Sequence, residues 1–227
     1  MLLVSACAAQ PGGAPAPPPL PGMTPVPVAE LVDAGSSGLT LNADQVEAAL
    51  LAPTDVPAGW TQPVNTNDSN EAGERLDSAT FEPASCRDLA TADSPTASDV
   101  TDSTRFITTD QHLVIELVTS WHDDAATRTI DTVHAYVAGC PTFTVTDSVV
   151  TMTEHLSETP GPELGEQSVA LHSYATVGGQ TAAESHQVVV IVGRVSVTII
   201  ATGRTLIDEA VLDQLVATAV AKVRAAG

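Results

Sequence analysis

The sequence predicts an α+β domain: a mainly antiparallel, curved sheet with helices packed on it and a long helix at the C-terminus. Three observations predict it. Segments of period-two alternation fill the second half of the chain, the stretch HQVVVIVGRVSVTII reads as a hairpin, and helical periodicity recurs between the strand-like runs and at the end.

The first helix is signalled by LTLNADQVEAALLAP. Asn42 caps it, Gln45 three residues later completes a capping box, and Leu41 packs on Val46 as a hydrophobic staple. Pro53 and Pro57 stop it, and DVPAGW turns the chain into an extended piece over 60–66. Residues 67–80 are polar enough to form a loop. FEPASCRDLATA then gives a short helix carrying Cys86, with Pro83 near its first turn.

TRFITT and HLVIELVTSW read as two strands about the turn TDQ. Period-two spacing puts Phe106, Leu113, Ile115 and Leu117 on one face and Val114 and Val118 on the other. With Asp123 or Asp124 as cap, AATRTIDTVHAYVAG forms a helix whose stripe is Ile130, Val133, His134 and Val137. It ends at Gly139, and Cys140 follows directly.

FTVTDSVVTMTEHL and QSVALHSYATV alternate weakly, and VGGQ at 177–180 turns into the next strand. In the hairpin that follows, the two-residue turn Gly193-Arg194 sets Val188, Val190 and Val192 opposite Ile199, Val197 and Val195. That aliphatic face requires a cover. The other face, Val189 and Ile191 against Thr198 and Ser196, is less dry. The terminal segment LIDEAVLDQLVATAVAKVRA supplies the cover through Val211, Leu212, Leu215, Ala219 and Val223. Asp208 and Glu209 near its start and Lys222 and Arg224 near its end suit the helix dipole.

Charge narrows the function classes. Eight Lys and Arg against 28 Asp and Glu give a net charge of −20, which repels phosphate backbones and anionic lipid surfaces. A nucleic-acid partner is therefore not expected. Nothing after residue 7 approaches the roughly 20 apolar residues of a membrane helix.

The N-terminus carries an address. Val4, Ser5, Ala6 and Cys7 read as the end of a bacterial lipoprotein signal, with Cys7 as the lipid attachment site and 1–7 a truncated signal whose start lies upstream. A chance lipobox on a cytosolic protein is the alternative. Residues 8–38 are rich in Pro, Ala and Gly and predict a semi-rigid tether, leaving 39–227 as one domain. With Cys7 given to lipid, Cys86 and Cys140 remain as an even pair that an oxidising compartment joins. The expected location is the outer face of the cytoplasmic membrane.

No motif for catalysis, phosphate binding or a metal stands out: there is no Walker loop, G-x-S-x-G, HExxH or CxxC. His122, Asp123 and Asp124 with His134 come nearest to a metal set, yet an aspartate at a helix start is better explained as a cap. His134 on an apolar stripe reads as a core or boundary residue. His172, Tyr174, Glu184 and His186 fall on neighbouring strands and form the candidate ligand pocket. No cofactor is expected.

The lipobox, the tether, LLAPTDVPAGW, TSWHDDAATRTIDTVHAYVAGCP, LGEQSVAL, the valine hairpin and the terminal helix resemble actinobacterial lipoproteins related to the extracellular sensor domain of the mycobacterial kinase PknH. The resemblance covers 40–226 and implies a sensor-like α+β fold with a cleft between sheet and helices. It also implies a role in binding a cell-envelope ligand. The expected function is that of a lipid-anchored, non-enzymatic binding or sensor-like protein. Its ligand, an envelope lipid, glycan or protein, would sit in a cleft formed by the sheet and terminal helix. The alternative is an envelope interaction module that docks a protein on an exposed sheet face, with no small-molecule ligand. Oligomeric state is not legible in the sequence.

Overall fold

The computed structural model describes residues 38–63, 78–92 and 95–227. Cys7, the signal and the tether up to residue 37, and most of the 60–80 extended and loop segment lie outside the described residues.

Among the described residues, eight antiparallel strands form one open sheet: β1 (Thr80–Glu82), β2 (Val100–Ile107), β3 (Leu113–Ser120), β4 (Thr142–Thr146), β5 (Thr151–Thr159), β6 (Gln167–Val177), β7 (Gln180–Val192) and β8 (Val195–Gly203). The spatial order is β1-β4-β5-β6-β7-β8-β3-β2. Four helices lie within the described residues: α1 (Ala43–Ala49), α2 (Ser85–Ala90), α3 (Ala125–Gly139) and α4 (Glu209–Ala226). The class is α+β. No helix among the described residues is long and apolar enough to cross a membrane.

One sheet face is sealed. In the β7–β8 hairpin Val188, Val190 and Val192 pair with Ile199, Val197 and Val195, closing around Gly193 at φ 64°. All six are buried, and α4 lies over them with Leu215, Ala219, Val220 and Val223 fully out of solvent. Asp208 caps α4 by accepting from the Ala210 and Val211 amides. Helix α1, with its capping box between Asn42 and Gln45, adds Val46 and Ala49 to the same core.

The β2–β3 hairpin departs from the sequence reading in two ways. Strand β2 starts at Val100, four residues before the expected run, and the strands close at Ile107 and Leu113, leaving 108–112 as the loop. In that register Phe106 pairs with Val114, so it shares the core face of Val114 and Val118 rather than that of Leu113, Ile115 and Leu117. Period two holds along a strand but does not carry across a turn, where loop length sets the register.

The opposite sheet face is covered only in part. Helix α3 sets Ala126 and Ile130 on Val169, Val189 and Ile191, with Trp121 completing the cluster. A third cluster gathers Phe81, Phe143 and Val145 beneath the Cys86–Cys140 disulfide, whose Cα atoms are 5.7 Å apart. Cys86 stands in the first turn of α2 and Cys140 caps the end of α3, so the bond ties the two short helices together over this face.

One glycine before β6 is held tightly. Gly165 has φ 65°, and a Cβ there would collide with the Ile191 carbonyl oxygen. Gly165→Ala is therefore expected to lower stability by more than about 1 kcal/mol, since both the left-handed backbone and the contact oppose it. A urea melt that matches the parent would contradict this packing.

Candidate functional site

Helix α3 crosses the less dry face over β7, β6 and β5, and α2 leans over it from the β1 edge. Between them a cleft of about 350 Å³ opens onto the sheet. Its floor is built from β3, β8, β7 and β6, and its walls are Leu89 and Ala90 of α2 and Thr132, Val133 and Tyr136 of α3. A second space of about 400 Å³ continues it toward β4 and β5. The two share Ala90, Tyr136, Leu156, Ser173 and Gln187, which makes them one elongated trough.

Strand register explains the lining. Thr198 and Ser196 of β8, Ser185 and Gln187 of β7, and Ser173 and Leu171 of β6 all point to this side, because their partners alternate with the buried valines of the α4 face. Ser173 and Ser185 are direct cross-strand neighbours. Trp121 closes the end under α3, with its indole N–H donating to Ser196 Oγ at 2.9 Å. At the junction of the two spaces, burial first and the nearby Glu154 second push the Tyr136 hydroxyl up to about 12. Burial likewise raises the Glu154 carboxyl above its ordinary value, against the pull of His155.

The space between sheet and terminal helix is filled. Leu212, Leu215, Val216 and Val220 pack against the hairpin valines with at most 3% of their surface exposed, so the cleft expected there lies instead on the opposite face. The physical reason is coverage: α4, an 18-residue helix, spans its side, whereas α2 has six residues and leaves bare floor.

The structure brings His172, Tyr174, Glu184 and His186 together on the α4 side, on the part of β6 and β7 beyond the helix start. His172 pairs with His186 and Tyr174 with Glu184. The two imidazoles meet edge to face at 5.4 Å, and His172 Nε2 is 4.0 Å from Glu184 Oε2. His155 joins them by stacking on Tyr174 at 4.3 Å, a member the sequence reading did not include. Burial, and then the neighbouring His172, lower the His186 pKa. These rings form a half-exposed strip on β5, β6 and β7, apart from the trough on the other face.

The remaining histidines disperse. His122 binds Asp99 at 2.7 Å, while Asp123 accepts from the Ala125 amide at the start of α3. Asp124 is the N-cap residue but makes no side-chain cap bond. His134 is half-exposed and reaches Glu158 at 2.7 Å. Among the described residues no group of three or more His, Cys, Asp or Glu is placed to hold a metal ion.

Sequence reasoning missed both the trough and a buried acid. Glu116 of β3 points into the α4 core with none of its surface exposed. Its Oε2 accepts from the Leu51 amide at 2.6 Å, and its Oε1 has no hydrogen-bond partner among the described residues. Lys222 and Asp55, paired at 2.7 Å, stand near it. The available signal was the register itself, since Glu116 alternates with Val114 and Val118.

No family model matches the chain, and no curated protein does. Among solved structures, it is similar to the extracellular domain of PknH from Mycobacterium tuberculosis, with 15% identity and a TM-score of 0.53 over 83% of this chain and all of that one. It is also similar to an uncharacterized protein, the Rv0999 ortholog, from Mycobacterium smegmatis, with 17% identity and a TM-score of 0.38 over 64% of this chain and 76% of that one. The resemblance to the PknH extracellular domain holds at the level of the fold.

Proposed function

We propose that this chain is a binding or sensor-like protein of the cell envelope, non-enzymatic, anchored by lipid on Cys7 at the outer face of the cytoplasmic membrane. The trough between the sheet and the α2–α3 pair is its ligand site. The observation that carries this reading is the bare, concave floor of Ser173, Ser185, Gln187 and Thr198 beneath two helices joined by a disulfide. The disulfide suits an oxidising compartment, the lipobox suits export, and the fold is shared with a domain described as extracellular.

The competing reading, an interaction module, favours a broad exposed apolar surface. The large exposed apolar residues among those described are Val149, between β4 and β5, and Val177, the last residue of β6; they form no broad patch on a sheet face, which favours a recessed ligand over a docked protein. The strip of His172, Tyr174, Glu184 and His186 is a secondary candidate for ligand contact.

Two mass measurements test the proposal on protein taken from its native envelope. Intact mass is expected to show a diacyl or triacyl addition at Cys7 and two thiols that alkylate only after reduction; an unlipidated chain with free thiols would refute the location. Native mass spectrometry is expected to show a co-purifying small molecule that is lost in Ser185→Trp, which fills the trough. Identical spectra for parent and variant would refute the site.

A further inference from the structure

We infer that the trough takes an uncharged amphiphile, an apolar chain bearing a neutral hydroxylated head such as an alkyl glycoside. The inference deepens the proposed ligand site and rests on it.

The lining of the main space carries no charge. In a chain carrying 36 acidic and basic residues, none of the 18 residues around the main space is charged. A phosphate or carboxylate entering there would lose its hydration with no cation to replace it, and an ammonium would find no carboxylate. The acids at the far space are Asp147 and Glu154, and desolvation raises the half-buried Glu154 carboxyl above its ordinary value.

The lining also supplies neutral hydrogen-bond partners that are not used internally. Among the described residues the side chains of Ser173, Ser185, Thr198, Gln187 and Tyr136 make no hydrogen bond, whereas Ser196 and Thr119 are already engaged by Trp121 and Thr101. Hydroxyl and amide groups both donate and accept, which matches the hydroxyls of a sugar or polyol. Two of them are flanked by hydrocarbon: Gln187 lies between Leu171 and Ile200, and Thr198 beside Leu117. Leu89, Val133 and Leu156 supply the walls. A sugar alone would leave these aliphatic surfaces wet, and an alkane alone would bury the free polar groups unpaired.

The test is an NMR titration of the full chain with dodecyl maltoside, dodecyl phosphate and maltose, each below its micelle concentration where one exists. Dodecyl maltoside is expected to shift the amides around Ser173, Ser185, Gln187 and Thr198. Dodecyl phosphate and maltose are expected to bind at least roughly tenfold more weakly. Gln187→Glu, checked for an unchanged fold by its spectrum, is expected to weaken dodecyl maltoside by a similar factor, and Ser185→Trp to abolish it. If dodecyl phosphate binds these residues as well as the maltoside, the neutral class is wrong while the site stands. If maltose binds equally well, the apolar chain is wrong. If no probe shifts the trough, or shifts fall on the α4 face, the inference fails.

Discussion

Replacing Cys86 and Cys140 together by alanine is expected to lower stability by about 4 kcal/mol, the chain-entropy value for closing a loop of this length. The two cysteines are separated by 54 residues, and both sulfurs are buried in the cluster of Phe81, Phe143 and Val145. The loss should be visible as a lower urea midpoint, and reduction of the parent should approach it. A local consequence follows from where the bond lies. Helix α2 has six residues and buries only Cys86, so without the bond little holds it over the sheet. Hydrogen exchange in the double variant should accelerate in α2 and the end of α3 before it does in the β7–β8 hairpin. Uniform acceleration, or an unchanged urea midpoint, would show that the disulfide is not the clasp of the trough's roof.

The second large effect concerns Glu116. Burial first, partly offset by the Leu51 amide and Lys222, raises its carboxyl from an ordinary 4.5 to about 7. The folded state then holds a proton that the unfolded chain has released, so stability falls as pH rises through that window and levels off above it. The decline attributable to this residue is about 3 kcal/mol. Glu116→Gln keeps an acceptor for the Leu51 amide and removes the titration. Urea melts from about pH 5 to about pH 8 should show a steep decline in the parent that is much reduced in the variant. The other shifted groups, His122, Glu154, Asp213 and His186 among them, are common to both proteins, so the difference isolates Glu116. Parallel pH profiles would mean that Glu116 is charged or hydrated in the fold.

The legibility of this fold followed the range of the interactions. The capping box of α1 spans four residues, and the β7–β8 hairpin is joined by two, so each was readable from adjacent sequence. The cover of the valine face by α4 followed from the hairpin, because an aliphatic face needs an apolar helix and one stood at the end of the chain. Phe106 was assigned to the wrong face because the five residues of the 108–112 loop set its register, and loop geometry is not periodic. Glu116 was not singled out because a lone acid in an apolar strand looks like a solvent-facing residue until the neighbouring strand is placed.

The trough was the least legible feature for a related reason. Ser173, Ser185, Gln187, Ser196 and Thr198 alternate with core residues, as the open face of an antiparallel sheet would. What turns that face into a site is the tying of two helices, one of six residues, across part of it. That geometry depends on contacts far apart in the chain. The cluster of His172, Tyr174, Glu184 and His186 could be assembled from two neighbouring strands, while its fifth member, His155, required the β5–β6 register.

The measurement that most directly tests the central claim is photo-crosslinking in the native envelope from benzoylphenylalanine placed at Ala90, which is exposed and borders both halves of the trough. Asp102, exposed on β2, is the control position. An adduct of small-molecule mass is expected at position 90 and none at 102. A protein adduct at position 90, or no adduct there at all, would contradict the claim.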